Sequence, residues 1–293
     1  MLARVAVRLH RTIGAIVAVL VAALVVAVAP WWLAVVGPLL GIAWQRVALA
    51  PVRRREKIAA TPVPAAWREL LDRRVAFYRR LGPEGRRRFE ADVAVFLAEH
   101  PIYGPQRAEV PEDVKLMIAA GAAMLLHGRP DWEWEKIRDI VVHPTQWDHD
   151  GVPGDHHAIA GQVHAQGPVL LSRKQIKFGY RKSDGENVVV HELAHVLDLA
   201  DGSADGSPDM FAWTAIPGWD ALVKSRLKAV RRGQGGPLRA YAGTGPEELF
   251  AVAVEVFFEQ PERLRKQDPE LYEALATLFN LDPDTGAIRR PIG

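Results

Sequence analysis

His191 and His195 stand four residues apart, with Glu192 directly after the first, in the stretch Val188-Val-Val-His-Glu-Leu-Ala-His-Val-Leu-Asp198. On a helix this offset sets the two imidazoles about 40° apart and one turn along the axis, so both leave the same side and can grip one metal ion. Glu192 lies about 100° round from His191, within reach of a water at that ion without taking the same ligand position. Two imidazoles with a carboxylate base between them are the parts of metal-assisted hydrolysis, and this spacing on a helix is the one zinc-dependent peptidases use.

A catalytic zinc takes three protein ligands. Asp201, six residues beyond His195, is one candidate, but Asp198 occupies the position where such an arrangement needs a glycine turn. Glu248 is the stronger one. It follows Pro246 and Glu247, which suit a helix's first turn, and it shares a face with Glu255, seven residues on, in an otherwise apolar segment. Carboxylates on such a face need a reason to be buried. Metal ligation by Glu248, with Glu255 behind a ligand, supplies one; two solvated carboxylates are the alternative. Asp198, seven residues after His191, falls on the histidine face. It is placed to accept a hydrogen bond from a ligand imidazole or a loop amide, or simply to end the helix.

The surrounding pattern predicts the elements that hold these groups. Trp67, Leu70, Leu71, Val75 and Tyr78 recur at helical intervals over Ala65–Leu81, and a second helix starts at Pro83 with Phe89, Val93, Phe96 and Leu97 on one stripe. A third runs from Pro111 to Leu126. Ile137–His143, Gly161–His164 and Pro168–Ser172 read as strands, the last as an edge beside the cleft that could pair with a peptide. Asp148, His149, Asp150, Asp155, His156 and His157 lie in a loop without helix-face spacing and read as surface. Ser183 and Glu186 form a capping box that would begin the histidine helix. The sum is an α+β, mostly helical domain with a small sheet.

The chain has 293 residues, a formal net charge of +2 and no cysteine. The charge gives no nucleic-acid footprint, and the lack of cysteine excludes disulfides and thiolate-held zinc. Ile13–Ala29 is uncharged and would extend about 25 Å as a helix; Pro30, Trp31, Trp32 and a second apolar run to Trp44 follow. Arg46, Arg53, Arg54, Arg55 and Lys57 outweigh Arg4, Arg8 and Arg11. The expectation is an N-terminal membrane anchor over residues 1–60, a hairpin or single span meeting the membrane through residues 12–50. The domain of residues 61–293 would then lie in the cytoplasm.

Asp184–Asp198, Asp201-Gly, Asp205-Gly and Pro208, followed by Tyr241, Thr244, Pro246, Glu248, Phe250, Ala251, Val252, Glu255, Phe257 and Phe258, form a recognisable set. It resembles the Mlc titration factor A family of zinc-dependent peptidases, over about residues 62–283, and more distantly the catalytic domain of anthrax lethal factor. The resemblance implies a zincin-type metallopeptidase domain with one zinc ion per chain on His191, His195 and Glu248. It implies Glu192 as general base and Tyr241 as transition-state hydrogen-bond donor, acting on a peptide or protein substrate. Arg173-Lys-Gln175 departs from the family's aromatic and acidic residues there, so substrate preference is not carried over. The family's name also implies an alternative, a metal-containing protein that sequesters a transcriptional regulator without proteolysis.

Overall fold

A computed structural model describes residues 12–17, 19–20, 23, 36–130, 132–134, 137–147, 160–163, 167–201, 205–206 and 216–290. The chain divides into one unit up to Thr61 and a second spanning Pro62–Pro291.

The first unit contains α1 (Val36–Ala48) and α2 (Ala50–Ala59). α1 has 13 residues, about 20 Å at 1.5 Å per residue, against the roughly 30 Å of a bilayer's hydrocarbon core. α2 carries Arg53, Arg54, Arg55 and Lys57 and buries nothing. Among the described residues no helix is long and apolar enough to cross a membrane. This overturns the expected membrane anchor over residues 1–60, the membrane contact through residues 12–50 and the cytoplasmic placement built on it. Much of the apolar run behind that expectation, residues 24–35 included, lies outside the described residues.

The second unit begins with α3 (Ala65–Arg74), α4 (Ala76–Arg80) and α5 (Pro83–Glu99). The single helix expected over 65–81 is broken at Val75, whose extended backbone (φ −106°, ψ 100°) buries its side chain between the two pieces. Then follow β1 (Ile102–Tyr103), α6 (Glu112–Leu126), β2 (Ile140–His143), β3 (Gly161–Val163), β4 (Val169–Ser172), α7 (Arg173–Gly179) and α8 (Val188–Asp198). The chain continues through α9 (Trp219–Arg231), α10 (Pro246–Glu259), α11 (Pro261–Gln267), α12 (Pro269–Leu278) and a β5–β6 hairpin (Leu281–Asp282 with Ala287–Ile288). The architecture is mostly helical with two small sheets.

The larger sheet has the order β1-β2-β4-β3, parallel except for β3, which pairs antiparallel with β4. β4 is therefore interior, with β1 and β3 at the edges, whereas the sequence expectation made β4 an edge. The apolar run of β4 fits an interior place better than an edge; Val169 and Leu171 are buried under α7 and the core.

α8 and α10 carry most of the site, and α6 packs against α8. α6 is rich in alanine and glycine, so neighbours approach closely: a Cβ at Gly121 would stand 2.6 Å from Val189 Cγ1 of α8. Tyr180 donates to the Met117 carbonyl at 2.8 Å and closes the same seam. α10 is buried from Leu249 to Phe258 without a break. A helix apolar on all sides belongs in a core, and Phe250, Phe257 and Phe258 are almost fully enclosed there.

Candidate metal centre

α8 starts one residue after Asn187, whose Oδ1 accepts from the backbone N–H groups of Val189 (3.1 Å) and Val190 (3.4 Å). Asparagine is among the best caps because its short side chain reaches these unpaired donors. The capping box expected at Ser183 does not form; Ser183 is exposed and its carbonyl accepts from Gln260. His191 consequently lies in the first turn of α8, with His195 in the last.

Glu248 enters from the first turn of α10. Its Oε2 lies 3.0 Å from His191 Nε2 and 3.6 Å from His195 Nε2, and the two Nε2 atoms are 3.2 Å apart. Zinc with N and O ligands at about 2.0–2.1 Å in tetrahedral array needs ligand separations of about 3.3 Å, so this triangle is of the right size. Glu248 Oε2 is buried and makes no hydrogen bond. A buried carboxylate oxygen without a donor, facing two imidazole nitrogens, is a group that a cation would complete. His191, His195 and Glu248 can therefore hold a metal ion. The side chain of Asp201, the other candidate ligand, lies outside the described residues.

Glu255 sits one carboxylate deeper. Its Oε1 faces His191 Nδ1 at 2.6 Å and accepts from Arg239 Nη2 at 2.7 Å; its Oε2 accepts from the backbone N–H of Asn187 at 2.6 Å. With Nδ1 engaged, Nε2 of His191 is left to face the triangle. Glu255 is 1% exposed, and its charge there is tolerable only because three donors surround it. Glu259 repeats the pattern one turn on, accepting from Asn187 Nδ2 and the Gly185 N–H.

Glu192 is 5% exposed. Burial pushes its carboxyl up to about 7, against the pull of His191 and His195. On His191, burial opposes the charge, but the carboxylates of Glu248 and Glu255 prevail and raise it to about 10. Burial works the other way on Glu248, and the same imidazoles hold it well below the usual carboxylate range. Three acids with one nearby fixed cation, Arg239, form an electronegative nest suited to a metal.

Tyr241, in the 3-10 turn Ala240–Gly243, donates from its hydroxyl to Glu248 Oε1 at 3.1 Å. Its ring lies 6.0 Å from that of His191 and is 49% exposed, so the phenol is at the mouth of the site. Burial, then Glu248, raises its pKa to about 12, which keeps it a donor at neutral pH. No hydrogen bond joins Asp198 to His191 or His195 among the described residues. Its Oδ2 accepts from the Gly206 N–H at 3.0 Å, and Gly206 fits so closely under α10 that a Cβ would meet the Pro246 carbonyl at 2.3 Å. Asp198 therefore ties the end of α8 to the start of the helix bearing Glu248.

Two contributors escaped the sequence reading. Arg239 carries no motif signal, because its partner Glu255 is known only once α10 is docked. Gly161, on the edge strand β3, is the other: a Cβ there would lie 2.4 Å from Glu192 Cγ. Only glycine leaves room for Glu192, and a single glycine in a short strand does not announce that.

Residues 49–280 match the family described as glucose-regulated metallo-peptidase M90. The chain belongs to this family. It is also 28% identical over 244 residues to an uncharacterized protein of Synechocystis sp., an alignment covering 78% of this chain and 89% of that one. It is similar to Mlc titration factor A of Edwardsiella ictaluri, 34% identical over 42% of this chain and 49% of the relative. The protein of the same name from Cronobacter sakazakii is 26% identical over 52% of this chain and 62% of its own length. The match thus spans about half to three-fifths of those titration factors.

Glu255→Gln is expected to weaken metal binding by about 10- to 100-fold, the usual range for losing a hydrogen-bond partner of a ligand histidine. Competition against a chromogenic chelator measures it; unchanged affinity would remove Glu255 from the centre.

Proposed function

We propose that this chain hydrolyses peptide bonds with one zinc ion held by His191, His195 and Glu248. The observation that carries the reading is the triangle of donor atoms with a buried Glu248 oxygen that has no hydrogen bond. Membership of a metallo-peptidase family supports it. Two imidazoles and a carboxylate, without cysteine, are a zinc donor set with a position left open. When bound, zinc would polarise the substrate carbonyl and acidify water near neutral pH.

The protein's own groups then divide the proton work. Glu192, with its pKa near 7 in a closed pocket, takes the proton of the attacking water and passes it to the leaving amine nitrogen. Tyr241 donates its O–H toward the carbonyl oxygen as negative charge gathers there. Before substrate arrives that single O–H is held by Glu248 Oε1, and the substrate oxygen then replaces Glu248 as its acceptor. Glu255, steadied by Arg239 and the Asn187 amide, holds the His191 ring in one orientation. The edge strand β3 runs beside Glu192, and an extended peptide would add to its outer side, which pairs with no strand among the described residues.

The test is metal analysis joined to a peptide-library digest. About one zinc per chain is expected, with cleavage lost after exhaustive chelation and restored by zinc alone. Cleavage persisting in verified metal-free protein would overturn the proposal. The relatives' name, Mlc titration factor A, favours a second reading in which the chain sequesters a regulator. An equal regulatory effect from the wild type and from Glu192→Gln would select it.

A further inference from the structure

Behind the amino end of α8 lies an open cavity of about 90 Å³ whose lining includes none of the metal-site residues. Five cationic side chains converge on it from three segments: Arg73 and Arg74 at the end of α3, Arg79 of α4, and Arg181 and Lys182 between α7 and α8. Arg73 has only a loose pair with Glu69 at 3.9 Å. Arg74, Arg181 and Lys182 make no ion pair among the described residues. The one acid in the lining is Glu259, whose carboxyl burial pushes up to about 8. Five exposed like charges with one acid in the lining set up a positive local potential that favours an anion. Phe77 and Phe258 supply an apolar floor.

We propose that this cavity binds a small anion carrying phosphate or carboxylate groups, and that the anion acts on the metal centre through Asn187. Asn187 lines the cavity, caps α8 with Oδ1, and donates from Nδ2 to Glu259. Its backbone N–H holds Glu255, which faces His191. An anion settled among the arginines thus reaches a ligand imidazole through Asn187 and Glu255. Anion binding does not depend on the metal centre's being peptidolytic, so the two readings fail separately.

Titration calorimetry of the full chain with inorganic phosphate, and separately with succinate, tests the site. Amide hydrogen exchange on the same samples tests the coupling. Saturable binding is expected for at least one anion, with exchange slowed in the lining segments and, as the mark of the coupling, at residues 188–191 beyond them. The stronger of the two identifies the headgroup chemistry. A triple variant, Arg74→Ala with Arg181→Ala and Lys182→Ala, changes exposed side chains and keeps the parental Tm without anion. It should bind at least about tenfold more weakly. No saturable binding to either anion, equal affinity in the triple variant, or unchanged exchange at residues 188–191 would overturn the proposal.

Discussion

Replacing Glu192 by glutamine is expected to lower peptide cleavage by about 10²- to 10⁴-fold while zinc content stays at the parental level. Glutamine has the same shape, and shape matters here. The side chain is enclosed, and the strand residue against it, Gly161, leaves no spare volume. A smaller residue would open a cavity and confuse lost chemistry with lost packing. The amide cannot accept a proton, whereas the carboxylate, raised by burial to about 7, is poised to take one and return it near neutrality. Because Glu192 is not one of the three converging donors, the metal should stay. The readouts are kcat on a cleaved peptide and zinc per chain by elemental analysis. Parental kcat in the variant would remove Glu192 from the reaction.

Glu248→Ala is expected to weaken zinc binding by more than the about 100-fold upper range for a supporting partner. It removes a ligand rather than a residue behind one. Two imidazoles would remain, and the electronegative nest would lose the carboxylate that balances them. The same change strips Tyr241 of its 3.1 Å hydrogen-bond acceptor. Cleavage measured at saturating zinc should therefore stay depressed even where the metal is forced in. The fold should survive, because Glu248 lies in the half-exposed first turn of α10, whose packing rests on Leu249, Phe250, Val252 and their neighbours further along. Chelator competition gives the affinity, and circular dichroism verifies the helix content. One zinc per chain held at parental affinity would take Glu248 out of the ligand set.

The site was legible wherever its geometry is local. The four-residue offset of the histidines and the seven-residue offset of Glu248 and Glu255 are properties of any α-helix. An apolar surrounding showed that those carboxylates needed partners. Helix starts at Pro83 and Pro246 were legible for the same reason, since proline suits a first turn. Other local signals misled. Ser183 and Glu186 have capping-box spacing, yet Asn187 caps α8, because Gly185 and Asn187 are bound by Glu255 and Glu259 from another helix. Val75 fits a helical stripe but breaks the helix to reach the core. The apolar amino-terminal run suggested an anchor, but no described helix is long and apolar enough to cross a membrane.

The sequence by itself determined the chemistry on offer: two imidazoles on one helix face with a carboxylate beside them, carboxylates on a second apolar helix, and no thiols. Those follow from residue type and helical repeat alone. Only the tertiary structure decided how the groups meet. Docking α10 on α8 brings Glu248 Oε2 to 3.0 Å from His191 and sets Glu255 between His191, Arg239 and Asn187. The tertiary structure also joins Asp198 to Gly206, sets β4 inside the sheet with β3 outside it, and presses Gly161 against Glu192. Each of these contacts joins residues brought together by the packing of separate elements, and no helical or strand period reports on that packing.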